Sequence, residues 1–161
     1  MALVEAFYNG APVTSEFLAV AAAAPGVFTT DASGKGQAVA QNQDYSLNGA
    51  ARPAARGGVL ILYANGQGGQ FIDSSNGQPL DPPGSGDAPP FEGRLFVTWE
   101  TPAVTIGGVP ARVEFSGLTP GLVGLWQINL RVPDNATVGN AVPLVVSLGG
   151  RSSLITTVAV N

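Results

Sequence analysis

Trp126-Gln-Ile-Asn-Leu-Arg-Val132 is the stretch of this 161-residue chain that decides the fold. Large apolar residues occupy every second position, and the positions between them are polar. Because successive side chains of a β-strand point to opposite sides, this alternation predicts a strand with one side in a core and the other turned to solvent. Trp126 shares its side with three aliphatic residues, so we expect it in the core.

Alternation of the same kind continues in both directions from this strand. It predicts further strands over 59–64, 95–100, 102–106, 109–115 and 142–148. Tight hairpins are predicted by three residue pairs that tolerate positive φ angles: Asn9-Gly10, Gly107-Gly108 and Gly149-Gly150. The sequence therefore predicts an all-β protein, an immunoglobulin-like antiparallel β-sandwich with long Gly/Pro-rich loops and an additional N-terminal hairpin.

Two long segments interrupt the strand pattern. Residues 30–56 are polar, and residues 65–90 carry Gly, Pro, Asn and Asp almost throughout. Long structureless segments are uncommon inside compact domains and often carry function. We predict that both segments are loops and that the second holds the features specific to this protein.

The composition indicates where the protein is located and which classes of partner it does not bind. Charged residues make up 11% of the chain, against about 25% in typical soluble domains, and hydrophobic residues make up 45%. This profile is typical of secreted or wall-associated β proteins, so we expect an extracellular or cell-surface location. A net charge of −4 argues against binding to nucleic acid. The longest apolar run, residues 17–24, is too short to span a membrane, so we expect no membrane insertion.

The side chains on which most catalytic sites depend are missing. The chain has no histidine and no cysteine, which excludes the usual catalytic triads and cysteine-based zinc sites. Most remaining carboxylates lie in turn-rich segments, whereas a carboxylate hydrolase needs one acid with a pKa raised by burial. We therefore expect that the protein is not an enzyme.

Calcium is the metal most compatible with the oxygen ligands that remain. Asp31 and Asp44 are the candidate ligands, but the sequence has no Asp-x-Asp-x-Asp-Gly loop. Aspartate in such segments commonly forms turns by hydrogen-bonding its neighbouring backbone. We favour the turn-forming role for both residues and expect no cofactor.

The two ends of the chain resemble each other. Residues 3–20 have the same layout as residues 144–160, namely a strand, a short turn and a strand. We predict a tandem arrangement in which residues 1–23 are the last hairpin of a preceding repeat unit and residues 24–161 are the sandwich domain. Unpaired strand edges recruit partners, so we expect neighbouring domains of the parent chain or other copies to cover the apolar residues of the hairpin. These residues are Val4, Phe7, Phe17 and Val20.

A series of motifs carries a resemblance to a known family. In chain order the motifs are Ala-Ala-Ala-Pro-Gly-Val-Phe-Thr at 22–29, Gly-Lys-Gly-Gln-Ala-Val-Ala at 34–40 with Asn42 and Asp44, and residues 48–57, 104–111 and 120–133. Together they resemble the uncharacterised C-terminal domain of large secreted proteins from Solibacter-type acidobacteria, which is similar in pattern to immunoglobulin-like modules of the IPT/TIG kind. The resemblance implies a non-catalytic structural or adhesive module of a larger exported protein, and it brings no catalytic residues.

Aromatic side chains on a sandwich surface suggest an alternative function, the binding of polysaccharide. Such side chains offer apolar area with a polar tip at low entropic cost. For Trp99, the shared parity with Leu95 and Val97 favours burial instead. The alternative function would use aromatic residues in or beside the 65–99 region: Tyr63, Phe71, Phe91 and Trp99, with Tyr45 as a further candidate.

Overall fold

A computed structural model describes residues 1–72 and 95–161 of the chain. Fourteen strands and no helix lie in these two ranges, and nothing within them forms a helix that could cross a membrane. The strands are β1 (Ala2–Tyr8), β2 (Ala11–Leu18), β3 (Gly26–Val27), β4 (Gly36–Gln37), β5 (Ala40–Asn42), β6 (Val59–Asn65), β7 (Gln70–Ile72), β8 (Phe96–Thr98), β9 (Ala103–Ile106), β10 (Val109–Leu118), β11 (Trp126–Arg131), β12 (Gly139–Leu148), β13 (Arg151–Ser152) and β14 (Thr156–Val160).

The described residues from Ala23 onward, 23–72 and 95–161, form an all-β sandwich, as predicted. We call its two layers sheet one and sheet two. Sheet one contains β3 and β5 on one side of β6, followed by β11, the second half of β10, β8 and β7. Sheet two contains the first half of β10, then β9, β12, β14 and β4, with β13 beside β12. Strand β10 therefore belongs to both layers.

A bulge in β10 accompanies its passage from one sheet to the other. Its register against β11 shifts between Val113, opposite Leu130, and Phe115, opposite Asn129. A bulge bends the strand and changes which side chains face the core. Before the bulge Val113 packs against the core, and after it Phe115 is half-buried while Ser116 is buried.

The three predicted hairpins are confirmed. Asn9 and Gly10 have φ angles of 49° and 78°, Gly107 and Gly108 of 60° and 79°, and Gly149 and Gly150 of 57° and 73°. Positive φ at both central residues is the geometry of type I′ turns, whose twist matches that of the flanking strands. The pairs join β1 to β2, β9 to β10 and β12 to β13.

The core lies between the two sheets and includes Trp126, which is fully buried as predicted. Its indole nitrogen donates to Ser116 Oγ at 2.9 Å, and Thr98 Oγ1 donates to the same oxygen at 2.8 Å. The only polar atom of the indole is thereby satisfied inside an apolar layer. Among the described residues, the other large, fully buried side chains are Phe96, Leu60, Leu62, Ile106, Ile128, Leu130, Leu144, Val132, Val146, Val158 and Val160.

The prediction that residues 30–56 form a loop is wrong in part. Strand β4 pairs in parallel with β14 of sheet two, and β5 pairs with β6 of sheet one. Residues 36–42 therefore connect the two layers on the side opposite β10. Because these strands have only two or three residues, they show no alternation in the sequence. The 65–90 prediction also missed β7, which pairs with β8.

The N-terminal hairpin forms a two-stranded sheet of its own. Every residue from Met1 to Val20 is exposed, and Ala23 is the first buried residue of the chain. The chain enters the sandwich at Ala24, whose N–H donates to the Gly66 carbonyl at 2.8 Å. That the hairpin derives from a preceding repeat unit stays a prediction.

Candidate functional site

One side of the N-terminal hairpin carries two of the predicted self-association residues, together with Leu3 and with the polar pair Glu5 and Ser15. Residues directly opposite each other in an antiparallel pair point to the same side. Leu3 lies opposite Phe17 and Phe7 lies opposite Pro12, with a register shift between Ala6 and Phe7. We call Leu3, Phe7 and Phe17 the hairpin apolar face; their exposed fractions are 49%, 60% and 67%.

The other two predicted self-association residues do not belong to this face. Val4 lies opposite Glu16 on the reverse side of the hairpin, and Val20 lies beyond the end of β2. Both are exposed. Tyr8, opposite Ala11, and Leu18, opposite Ala2, also lie on the reverse side.

Trp99 is exposed by 58%, so the prediction of its burial is wrong. In β8 Phe96 and Thr98 are buried, whereas Val97 and the preceding Leu95 are only half-buried. Trp99 does share a side with Leu95 and Val97, but that side is the one turned away from the core. The alternation in the sequence correctly places Leu95, Val97 and Trp99 on one side of the strand. It does not show which side of the strand faces the core.

The indole of Trp99 rests on a glycine. A Cβ atom added to Gly69 would lie 2.5–2.8 Å from three atoms of the indole six-membered ring, so only glycine leaves room for the ring there. The backbone N–H of Trp99 donates to the Gly69 carbonyl at 3.1 Å. Trp99, Val97 and Phe115 border a surface groove of about 370 Å³. This volume is within the range of small-ligand sites.

Tyr63 lies on the same outer side of sheet one as Trp99. It is opposite Gln127 of β11, which is opposite Gly117 of β10, which in turn is opposite Val97 of β8. The Tyr63 hydroxyl donates to Gln41 Oε1 at 2.7 Å. Partial burial raises the pKa of Tyr63, and the nearby Tyr45 phenol acts in the same direction.

The remaining aromatic candidates are only partly described. Phe71 occupies a backbone position in β7 opposite Val97. Phe91 lies outside the described residues. Tyr45 is 72% exposed and has a φ angle of 62°, which is unusual for an aromatic residue.

Asp31 and Asp44 occupy two turns of the same construction. The carboxylate of Asp31 accepts hydrogen bonds from the N–H and the hydroxyl of Ser33, at 3.1 Å and 2.7 Å. The carboxylate of Asp44 accepts the same pair from Ser46, at 3.0 Å and 2.6 Å. These bonds lower the pKa of both carboxyl groups.

This geometry supports the turn-forming role over the calcium site. The middle residues of the two turns, Ala32 and Tyr45, have φ angles of 58° and 62°. Hydrogen bonds from each serine to the preceding aspartate stabilise that left-handed conformation. Across residues 1–72 and 95–161, no three carboxylates come together as a metal site.

Sequence reasoning missed the amide side chains beside Tyr63. Gln127 and Asn129 project from β11 on the outer side of sheet one, and Gln127 Nε2 donates to Asn129 Oδ1 at 2.9 Å. The signal was present as the polar half of the alternation from Trp126 to Val132. We interpreted that half only as a solvent-facing side.

Comparison of the chain with protein-family models, curated proteins and solved structures gave no match. The resemblance to the acidobacterial C-terminal domain therefore stays a prediction.

Proposed function

We propose that this chain is a non-catalytic, extracellular structural or adhesive module of a larger exported protein, with an immunoglobulin-like sandwich that self-associates through its N-terminal hairpin. The observation that carries the proposal is the exposure of the whole hairpin, including Leu3, Phe7 and Phe17. The lack of histidine and cysteine supports the non-catalytic part of the proposal.

The hairpin has a physical reason to seek a partner. An isolated two-stranded sheet is marginally stable in water unless another surface covers it. Within the described chain, β1 and β2 pair only with each other, so each has an outer edge of unpaired backbone groups. Fully burying a large apolar side chain contributes about 1.5–3 kcal/mol, and the exposed fractions of the three residues add up to fewer than two whole side chains. The hairpin apolar face therefore offers roughly 3–5 kcal/mol towards association.

Size-exclusion chromatography with light scattering, over a series of protein concentrations, tests the proposal. We expect a dimer or larger species for the wild type and a monomer for the double variant Leu3→Ser/Phe17→Ser. The matched control is Tyr8→Ser/Leu18→Ser, which removes apolar area from the reverse side and should leave association intact. A wild type that is monomeric at every concentration, or equal loss in both double variants, would refute the role of this face.

Polysaccharide binding is a second candidate function, favoured by the exposure of Trp99 on its Gly69 support. An indole held against glycine presents a broad apolar surface that suits the face of a sugar ring. Pull-down on insoluble cellulose, chitin and xylan tests this function, with Trp99→Ala as the loss variant and Tyr8→Ala as the matched aromatic control. Absence of retention on all three polysaccharides would discard it.

A further inference from the structure

A band of amide and aromatic side chains crosses the outer side of sheet one. Gln41 is opposite Ile61, Ile61 is opposite Asn129, and Asn129 is opposite Phe115. The neighbouring row contains Tyr63 and Gln127. We call Gln41, Tyr63, Gln127, Asn129 and Phe115 the amide face. All five side chains are half-buried in the sheet and reachable from solvent.

The amide face keeps both donors and acceptors free for a ligand. Gln41 Oε1 accepts from Tyr63 and Asn129 Oδ1 accepts from Gln127, which fixes the orientation of these groups. Among the described residues, Gln41 Nε2, Asn129 Nδ2 and Gln127 Oε1 have no protein partner. Two amide donors and one amide acceptor on the outer side of sheet one are therefore unpaired. This combination suits hydroxyl groups, because each hydroxyl both donates and accepts.

Aromatic residues stand at both ends of the band. Tyr63 lies at the β6 end, and the groove bordered by Phe115 and Trp99 lies at the β8 end. The ring tip of Phe115 lies over Gly117, where an added Cβ would be 2.9 Å from it. From β5 to β8 the band crosses four strand spacings of about 4.8 Å, or about 19 Å. This span fits an extended chain of several units better than a single small molecule.

The charge of the region favours a neutral ligand. Glu114 lines the Trp99 groove and is joined to Arg131 by a 2.8 Å salt bridge, and the exposed Arg112 lies opposite Arg131. Arg131 also donates to the Gly57 carbonyl at 2.6 Å. The opposite charges of Glu114 and Arg131 compensate each other beside the site, and the five side chains of the amide face are themselves neutral.

From these features we infer that the amide face, continued by the Trp99 groove, binds a neutral linear polysaccharide laid across the strands of sheet one. The inference rests on the second candidate function and assigns its site and ligand class. Aromatic rings contact the apolar faces of the sugars, and the three amides bind the hydroxyl groups between them.

Isothermal titration of the full chain with neutral hexasaccharides of the cellulose, chitin, xylan and mannan types tests the inference. For whichever of these binds, we expect the double variant Gln127→Ala/Asn129→Ala to weaken affinity at least about tenfold, equivalent to about 1.4 kcal/mol. The matched control is Asn135→Ala/Asn140→Ala, which removes two exposed amides outside sheet one and should bind as the wild type does. Thermal melts of both variants establish that they fold.

The Trp99→Ala variant separates failure of the site from failure of the function. If Trp99→Ala abolishes binding while Gln127→Ala/Asn129→Ala binds as the wild type does, polysaccharide binding stands and the amide face is refuted. If the wild type binds none of the four oligosaccharides, both the function and the site are refuted. Binding of a proline decapeptide in place of every oligosaccharide would equally overturn the inference, because aromatic grooves also accept extended proline-rich segments.

Discussion

Replacing Asn48 by alanine should destabilise the sandwich more than any other single amide deletion in the described chain. Asn48 is buried, and its Nδ2 donates to Asn42 Oδ1 at 3.0 Å and to the Ala159 carbonyl at 2.9 Å. Its Oδ1 accepts from the Ala159 N–H at 2.8 Å and from Gln37 Nε2 at 3.1 Å. One side chain thus joins the 30–56 segment to the last strand, which is 111 residues away in sequence.

The cost follows from the groups that lose their partner. The Ala159 carbonyl keeps a bond from the Ala54 N–H, so it stays satisfied in the Asn48→Ala variant. The Ala159 N–H and Asn42 Oδ1 are both left unpaired, and Ala159 is fully buried. A buried polar group without a partner costs about 1–3 kcal/mol, so with two such groups the free energy of unfolding should fall by roughly 2–6 kcal/mol.

Urea unfolding followed by tryptophan fluorescence measures this loss, because Trp126 is buried only in the folded state. The matched control is Asn129→Ala, which removes an amide from the half-exposed outer side of sheet one. We expect that control to stay within about 0.5 kcal/mol of the wild type. If Asn48→Ala and Asn129→Ala are equally stable, the hydrogen bonds of Asn48 do not hold the 30–56 segment in place.

Three further outcomes follow from particular contacts. Burial raises the pKa of Tyr63 above about 10, so the neutral phenol contributes to stability below that pH, and this contribution is lost as the pH rises through the folded-state pKa. Above pH 10 the urea midpoint of Tyr63→Phe should therefore fall less than that of the wild type. Equal falls in the two proteins would contradict this. Hydrogen bonds from Ser46 lower the pKa of Asp44, so the ionised carboxylate stabilises the fold. The stability difference between the wild type and Asp44→Ala should therefore be present at neutral pH and shrink below about pH 4. A difference that does not change with pH would show that the ionised carboxylate does not stabilise this turn. In Gly69→Ala the new methyl group should displace the Trp99 ring and increase its quenching by acrylamide, and unchanged quenching would show that the ring does not rest on Gly69.

The parts of the fold that are determined by residues close together in the sequence could be predicted from the sequence. Alternation located β11 and β12, and the three glycine-containing pairs located the hairpins. The short strands β4 and β5 could not be found in this way, because partners far along the chain hold them in place. The bond between Asn48 and Ala159 is the clearest example.

The candidate site could be predicted only in part, for two physical reasons. Alternation groups side chains by side but does not say which side is covered, and this ambiguity produced the wrong prediction for Trp99. The bulge near Phe115 then inserts one residue into β10, which moves every later side chain to the other side. Phe115 therefore lies beside Asn129 on the outer side, a position that an unbroken alternation from Val109 would not assign to it.

The hydrogen bonds of the 30–56 segment bear on what the family resemblance can mean for function. The side chain of Asp44 accepts a hydrogen bond from Ser46, and that of Asn42 accepts one from Asn48. The side chain of Asn48 also donates to the Ala159 carbonyl. Polar atoms engaged within the fold are poor candidates for binding a ligand, since a ligand would have to break bonds that hold the sandwich together. The motif residues Asn42, Asp44 and Asn48 thus specify architecture, whereas the motif at 120–133 supplies Gln127 and Asn129 of the amide face. Binding must use side chains with free polar atoms or exposed apolar surface. The amide face offers the first, and the hairpin apolar face offers the second.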